Sequence, residues 1–395
     1  AVTPVSLLGD AITNHEGEDD RSWDSLFDAR SVIHDERWVT EVRIPFQSLR
    51  FEADTDAWGL QVKVVSWEHQ QSVSWAPLNR DRSNRLAQAG VARGFHGASP
   101  GRAIELLPSL TTGWHHRKGE GVPGCDFDAG YGTFDVCGVE LSYGAGFKWG
   151  ITPSTTLDVV VNPDYSHIEA DAAELEINNR FPVHLDERRP FFQEAKDLFQ
   201  LPFEVVYTRS INQPELALKF TDLTGNVRTG ALLAIDGSPP ESEVDDRFTP
   251  DTMADGRDVT ALTAIARAQI DLERRASLGV LVLDREYLSG SEQVGQNQVL
   301  GMDATAEISS WLRAEGAVFL SHAQVDDTAP IGWGLAGHAR LVAQEDNYRV
   351  QMHYQRIAES FRSEAGFIPR RGFHHTFSKI DFDYLSRYTN APVLL

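Results

Sequence analysis

The most regular feature of this sequence is the alternation of apolar and polar residues over much of its second part. Between Gly138 and Trp149, every odd position is apolar and every even position is Gly, Glu, Ser or Lys. Residues 300–309 and 347–355 alternate in the same way. A period of two residues is the pattern of a β-strand with one apolar and one polar face. A helix would scatter these apolar residues around its whole circumference, so the pattern favours strands.

Weaker segments with the same alternation fill most of the chain from residue 103 onward. Together with the three strong segments they predict about twelve strands of roughly ten residues each, the strand length of bacterial outer-membrane barrels. The sequence therefore predicts an all-β protein dominated by an antiparallel transmembrane β-barrel, part of which is missing from this chain. The weaker segments are 103–114, 155–162, 215–222, 227–236, 259–272, 276–285, 312–321, 333–344 and 374–385.

The predicted connections between these strands are short and long in turn. Outer-membrane barrels place short turns on the periplasmic side and long loops outside, so this parity supports a membrane barrel. A soluble sandwich or a lipocalin-type barrel also alternates in sequence and stays open as the alternative. The short connections are 151–154, 223–226, 273–275, 310–311 and 345–346, and the long ones are 115–137, 163–214, 237–258, 286–298, 322–332 and 357–373.

The first hundred residues have a different pattern. Residues 38–46 predict a strand that ends at Pro45, and two further short strands are predicted after Trp58 and at 72–75. This is too little for a complete sandwich, so we expect part of a module and a chain that is truncated at both ends. The resulting division is a partial β-sandwich at 1–78, a linker at 79–102 and the barrel at 103–395.

Charge argues against one class of partner, and hydropathy excludes one kind of membrane segment. The formal net charge of -22 argues against nucleic acid as a partner, because phosphate binding needs clustered Lys and Arg. No run of about 18 apolar residues exists, which excludes a membrane-spanning helix. A barrel strand needs no such run because only one of its faces meets lipid. Cys125 and Cys137 lie in one Gly- and Asp-rich segment and form a local disulfide only if their compartment is oxidising.

Two stretches are similar to a known family when they are read together. One is Trp-Val-Thr-Glu-Val-Arg-Ile-Pro-Phe at 38–46, and the other is Asn-Pro-Asp-Tyr-Ser-His-Ile-Glu-Ala-Asp at 162–171, followed by Arg-Pro-Phe-Phe-Gln-Glu at 189–194. The chain resembles an uncharacterised bacterial family that joins a module like the family 9 carbohydrate-binding modules to a C-terminal barrel, domain of unknown function 5916. That resemblance implies an outer-membrane barrel and, weakly, a sugar-binding module before it. Three residues depart from the family pattern: Asp186 replaces the usual proline, Gln193 the usual leucine and Ala195 the usual glycine.

The connection at 163–214 is too long for a simple loop. We expect it to fold into the barrel lumen as a plug or to stand as a long loop, with a helix at 166–178. Its charged side chains would pair with polar residues of the wall. Ca²⁺ binding is the alternative, but the carboxylates fit no EF-hand spacing and arginines lie beside them, so no metal site is predicted. The predicted lumenal charge network is Asp164, Glu169, Asp171, Glu187, Arg188, Arg189 and Glu194.

Candidate ligand-binding and catalytic residues are few. Trp23 and Trp38 are candidate platforms for stacking on sugar rings, although aromatic residues of a small β module more often pack in its core. A hydrolase could use Ser321, His322, His338 and His353, which lie on or near predicted strands, yet no nucleophile motif surrounds them. The sequence therefore predicts no catalytic residue and no cofactor.

These observations predict a non-enzymatic outer-membrane barrel of a Gram-negative bacterium whose N-terminal module lies in the periplasm. Its partners are outer-membrane lipid and a small solute that passes through it or binds at its surface, with a saccharide as one candidate. The alternative is a secreted or periplasmic carbohydrate-binding protein with a soluble all-β fold. A surface enzyme is the third hypothesis.

Overall fold

The structure of the chain is a computed structural model in which β-strands dominate. The residues that it describes are 2–3, 8–9, 12–13, 19–20, 27–35, 37–46, 56–66, 71–78, 88–95, 104–117, 135–152, 154–165, 184–237, 239, 259–272, 276–325, 329–345 and 348–382.

Short strands form the N-terminal part. They pair as four separate antiparallel ladders, β1–β2, β3–β4, β5–β8 and β6–β7. Strand β4 coincides with the predicted strand at 38–46, and β8 lies inside the range 79–102 predicted as a linker. Of the four residues of β8, only Val91 is a large apolar residue, which is too little to show an alternation and explains why no strand was predicted there. The strands are β1 (Ile12–Thr13), β2 (Asp19–Asp20), β3 (Asp28–Ile33), β4 (Trp38–Arg43), β5 (Ala57–Leu60), β6 (Lys63–Ser66), β7 (Gln71–Ser74) and β8 (Gly90–Arg93).

Twelve longer strands form one antiparallel sheet in which each strand pairs with the next along the chain. The prediction of an all-β fold with about twelve antiparallel strands is confirmed. Its edge strands β9 and β20 do not pair with each other among the described residues, so the sheet is not closed there. The strands are β9 (Ile104–Arg117), β10 (Asp135–Gly150), β11 (Thr155–Val161), β12 (Pro214–Thr224), β13 (Val227–Asp236), β14 (Thr260–Leu272), β15 (Ala276–Ser289), β16 (Glu292–Ser309), β17 (Leu312–Val325), β18 (Ala329–Glu345), β19 (Tyr348–Ile357) and β20 (Phe373–Phe382).

Two predicted long loops are wrong. Residues 286–298 are the paired ends of β15 and β16, which meet at a turn where Gly290 has a φ of 63°. Residues 322–332 are mostly the paired ends of β17 and β18. Apolar residues occur in both stretches, among them the buried Tyr287 and Ala323, but polar runs such as 289–293 and 326–328 interrupt the alternation although the backbone ladders extend on both sides of them.

The two faces of the large sheet differ in what covers them. On β15 the side chains of Leu278, Val280 and Val282 are 49%, 42% and 49% exposed. Those of Leu281 and Leu283, which lie on the opposite face of the same strand, are 0% and 1% exposed. We call the face of Leu281 and Leu283 the inner face and the opposite one the outer face. The sheet thus exposes its more continuous apolar face and buries the mixed one.

The core lies between the inner face and two connections that fold onto it. Residues 184–213, which we call the long segment, and 358–372, which we call the strap, join β11 to β12 and β19 to β20. Phe203, Val205 and Phe361 of these connections share one buried cluster with Leu283 and Phe319 of the wall. Both connections leave the same end of the sheet, which also carries the tight turn at Gly290 between β15 and β16. The other short turns, such as those after β12 and β16, lie at the opposite end, which we call the short-turn end.

Helix is scarce in the described part of the chain. The α-helix Pro190–Gln193 and the 3-10 turns Lys196–Phe199 and Thr208–Ser210 all belong to the long segment. No helix among the described residues combines the length and hydropathy that a bilayer crossing requires. The predicted helix at 166–178 lies outside the described residues.

Candidate functional site

The long segment and the strap form one composite body, which we call the plug. The Tyr207 amide donates to the Ala365 carbonyl over 2.7 Å, and the Phe367 amide donates to the Glu204 carbonyl over 2.7 Å. Ser363 Oγ donates to the Val205 carbonyl over 2.6 Å. These bonds join backbones about 160 residues apart in sequence, so the two connections are expected to move together.

Close packing reinforces this junction at Gly366. A Cβ atom at this position would lie 2.5 Å from the Glu204 carbonyl oxygen and 2.8 Å from that of Val205. Both distances are far below van der Waals contact, so only glycine allows the strap to approach the long segment this closely.

Three buried polar side chains of the wall hold the plug, and we call them the docking residues: Arg285, Asn297 and Ser321. They stand on the adjacent strands β15, β16 and β17 and are at most 1% exposed. Arg285 donates to the Ser210 carbonyl over 2.9 Å and to the Glu364 carbonyl over 3.3 Å. It therefore contacts both halves of the plug.

The other two docking residues bind the strap backbone. The Asn297 amide group donates to the Arg362 carbonyl over 3.3 Å, and its Oδ1 accepts the Glu364 amide over 2.9 Å. Ser321 Oγ accepts the Arg362 amide over 3.0 Å. Buried backbone groups without partners are costly, so these side chains replace the water that the strap loses on docking.

The long segment has further anchors near β12. Asp236 accepts the backbone amides of Asn212 and Gln213 over 2.6 and 3.1 Å. Lys219 donates to the Phe191 carbonyl and lies 3.6 Å from Asp158 on the neighbouring strand. These contacts fix the segment at its start and at its end.

A buried ion pair braces the long segment internally. Glu187 and Arg189 are 3% and 5% exposed, and their side chains meet at 2.7 and 2.8 Å. Arg189 also donates to the carbonyls of Thr208 and Ile211, and Thr208 Oγ1 donates to Glu187. The guanidinium lies 4.3 Å from the centre of the Phe192 ring. The pair thus ties the helix at Pro190–Gln193 to the turn at Thr208–Ser210.

Burial alone would raise the pKa of Glu187, but the hydrogen bond and positive charge of Arg189 outweigh it and hold this pKa below its ordinary value. A carboxyl group with a lowered pKa stabilises the fold at neutral pH and loses this contribution as the pH falls.

We expect the plug to loosen below about pH 4, where an ordinary glutamate becomes protonated. Limited proteolysis of the plug from pH 7 downward measures this. A Glu187→Gln variant should be more easily cut at every pH and lack the acid-dependent step in this range.

The structure places the predicted charge network in two arrangements. Glu194 lies 2.8 Å from Lys148 of β10, and Asp164 accepts a hydrogen bond from Thr111 of β9, so both contact the wall. Glu187 and Arg189 pair with each other instead. Arg188 is half-buried beside them, and Glu169 and Asp171 lie outside the described residues.

The remaining predicted site residues do not gather at the plug. Trp38 lies on β4 and is 40% exposed. Trp23 and Cys125 lie outside the described residues, as does the side chain of Cys137 on β10, so the predicted disulfide does too. No cluster of potential metal ligands occurs among the residues that the structure describes.

The hydrolase hypothesis finds no support in the geometry around Ser321. Its hydroxyl accepts the strap amide described above, and Ser321 pairs with Gly334, four positions along β18 from His338. His338 and His353 contact each other over 3.1 Å. Ser321 acts as a docking residue, with its oxygen occupied by the backbone.

Ala195 shows why its position favours glycine. Its φ is 58° and its ψ is 26°, the left-handed conformation that costs a residue with a Cβ about 1 kcal/mol relative to glycine. We expect Ala195→Gly to stabilise the protein by about 1 kcal/mol. Chemical denaturation of the two proteins measures the difference. The same substitution at Ala217, which is buried in the extended strand β12, should destabilise instead.

The strap and the roles of the docking residues were not predicted from the sequence. A connection of fifteen residues reads as an ordinary surface loop. The available signal was chemical: Arg285, Asn297 and Ser321 stand at strand positions of one face, where a buried arginine or asparagine needs a partner from elsewhere in the chain.

Residues 133–226 match a family described as domain of unknown function DUF5916. This range holds β10, β11, the whole long segment and β12. No curated protein sequence matches the chain.

Several solved structures are similar to the chain at low sequence identity and low TM-score. The outer-membrane-expressed OmpT of Vibrio cholerae is 9% identical with a TM-score of 0.32, covering 61% of this chain and 63% of its own. The form of OmpT with loop L8 deleted is 9% identical with a TM-score of 0.28, covering 65% and 93%. In-vitro-folded OmpT is 8% identical with a TM-score of 0.29, covering 70% and 94%. The chain spans less than two thirds of the first of these structures, and a likeness of this degree assigns no activity.

Proposed function

We propose that this chain is part of an outer-membrane β-barrel of a Gram-negative bacterium that controls the passage of a small solute. Lipid surrounds the outer face, and the plug closes the space beside the inner face. The N-terminal strands lie in the periplasm, on the side of the short turns, and a saccharide is the candidate solute.

The observation that carries this proposal is the exposure of large apolar side chains along the outer face. Leu300 on β16 has Val282 and Leu320 as its cross-strand neighbours, and all three are exposed. Soluble monomers rarely expose contiguous apolar patches of more than a few hundred Å². In a bilayer the same surface is favourable, because the outward band of a membrane barrel is apolar.

Aromatic residues at both ends of the strands support this arrangement. Trp149 and Trp311 are exposed at the short-turn end, and Trp333 is exposed near the opposite end. Membrane barrels carry girdles of aromatic residues at both interfaces, since an indole ring suits the boundary between hydrocarbon and water.

The inner face supports control of passage. The plug fills the space beside the inner face, where the docking residues bind its backbone from three adjacent strands and an apolar cluster packs behind it. A body held there blocks the lumen while it is docked, so passage depends on its displacement.

Heat-modifiable migration of the full chain tests the membrane assignment. We expect the protein to require detergent for extraction from the outer-membrane fraction and to migrate differently on a gel before and after boiling. A protein that stays in solution without detergent and migrates identically in both samples would instead be the soluble carbohydrate-binding protein.

Trp38 is the described residue with which the N-terminal module would bind a saccharide. It is 40% exposed, as a platform for stacking on a sugar ring must be. We expect Trp38→Ala to reduce retention of the protein on immobilised polysaccharide, whereas Val39→Ala at its exposed neighbour should not. Equal retention of the two variants would remove Trp38 from the binding site.

A further inference from the structure

The inner face continues beyond the plug toward the short turns, and this part is polar. We call it the polar basin and define it by six residues on β13 to β18: Arg228, Arg267, Asp271, Asp303, Glu315 and Arg340. Their positions follow from the strand register. Arg267 pairs with Leu281 and therefore lies on the inner face. Asp303 and Glu315 lie on the same face of β16 and β17, closer to the short turns.

The tightest pair of the basin crosses an intervening strand. Arg267 on β14 donates to Asp303 on β16 through two bonds of 2.7 and 2.9 Å. The pair passes over Gly279 of β15, where a Cβ would lie 2.5 Å from the carboxylate and 2.9 Å from the guanidinium. The glycine thus leaves room for a bidentate pair on the surface of the wall.

The other charges are also paired with the opposite sign. Glu315 lies 3.0 Å from Arg313 of its own strand and 3.6 Å from Arg340 of β18. Arg228 lies 3.5 Å from Asp271 and 3.7 Å from Asp197 of the plug. The basin therefore alternates in sign over distances of a few ångströms.

Neutral hydrogen-bonding groups fill positions between the charges. Ser277 and Thr305 face each other with their hydroxyl oxygens 2.7 Å apart, and Gln269 donates to Asp271 over 3.3 Å. The basin thus presents donors and acceptors side by side, on a wall that carries a balanced set of charges.

This balance is unexpected in a chain with a formal net charge of -22. An acidic protein of this kind would be expected to attract cations to its passage. The six residues that define the basin are three arginines and three carboxylates, and Arg313 and Asp197 beside them add one charge of each sign, so the excess negative charge lies elsewhere.

The alternation has a consequence for what the basin can bind. An ion of either sign would be attracted by one member of each pair and repelled by the other within a few ångströms. A neutral solute with neighbouring hydroxyl groups meets no such cancellation, because each hydroxyl can donate to a carboxylate and accept from an arginine.

We propose that the polar basin binds an uncharged polyhydroxylated solute and discriminates against ions of both signs. This inference rests on the proposed passage of solutes and names the class of solute that passes. The basin lies on the short-turn side of the plug. Because the docked plug blocks the passage, we expect the solute to cross the basin once the plug has moved.

Swelling of proteoliposomes with three solutes of nearly equal size tests this inference. The probes are glucose, gluconate and glucosamine, which are neutral, anionic and cationic. The protein is the full chain and, in parallel, its Gly334→Val variant, in which the added side chain would collide with the strap. We expect glucose to enter several times faster than either charged probe in whichever protein swells.

A variant with unbalanced charge provides the control. Asp303→Asn combined with Glu315→Gln leaves the arginines of the basin in excess, so gluconate should gain at least about twofold relative to glucose. Glucosamine entry equal to or faster than glucose entry overturns the inference while leaving passage intact. Unchanged ratios in the charge variant also overturn it. No swelling with any probe in either protein overturns the proposed passage, and the inference with it.

Discussion

Leu300→Arg is expected to destabilise the protein in lipid by about 2–4 kcal/mol, the cost of an arginine at the midplane of a membrane barrel. Leu300 lies near the middle of β16, on the outer face, between Val282 and Leu320. In a soluble protein an exposed position of this kind tolerates a charge within about 0.5 kcal/mol. Unfolding by urea in phospholipid vesicles measures the difference.

Glu292 provides the matched control for this prediction. It is exposed at the first position of the same strand, next to the turn at Gly290 and beyond the apolar band. Glu292→Arg should therefore change the stability by no more than about 0.5 kcal/mol. If the two substitutions cost the same, the outer face does not contact hydrocarbon and the membrane assignment is wrong.

The sheet was predictable because its strands are amphipathic. Val139 to Trp149 and Leu300 to Ile308 place apolar side chains on one face only, and a period of two residues allows no other regular structure. The prediction of strands did not depend on whether water, protein or lipid covers the apolar face. Alternation is the same in a soluble sheet and in a membrane sheet, so the choice required the exposure of the apolar face.

The plug was only partly predictable, because docking depends on contacts between distant parts of the chain. The length of the connection at 163–214 indicated a compact body, and its charges indicated ion pairs. Nothing in the sequence near Ser363 indicates that its hydroxyl binds the carbonyl of Val205, 158 positions earlier. The burial of the Glu187–Arg189 pair was equally hidden, since it depends on the carbonyls of Thr208 and Ile211, which lie about twenty positions later in the chain.

The docking residues also explain how one sheet can be stable with a polar inner face. A buried arginine such as Arg285 costs free energy unless its donors are used, and here two of its nitrogens bind backbone oxygens of the plug. The wall therefore requires the plug as much as the plug requires the wall. Displacing the plug must expose these groups to water, which fits a passage that opens to an aqueous lumen.

Gly334→Val is expected to shift the plug toward its undocked state by about 10-fold to 100-fold, the equivalent of about 1–3 kcal/mol of overpacking. Gly334 lies on β18 against the strap, and any Cβ there would collide with the backbone of Phe361 and Ser360. A backbone cannot rotate away as a side chain can, so the strap must leave the wall. Conductance across a planar bilayer and the rate of proteolysis within 358–372 should both rise.

Gly337 is the matched control, three residues along the same strand. A Cβ at this position meets only the Ala317 carbonyl oxygen, at the ordinary contact distance of 3.9 Å. Gly337→Val should therefore leave both conductance and proteolysis near those of the parent protein, and heat-modifiable migration should show that both variants fold. Equal conductance of the two variants, with both folded, would mean that the strap does not control the passage and that its contacts with the wall serve stability alone.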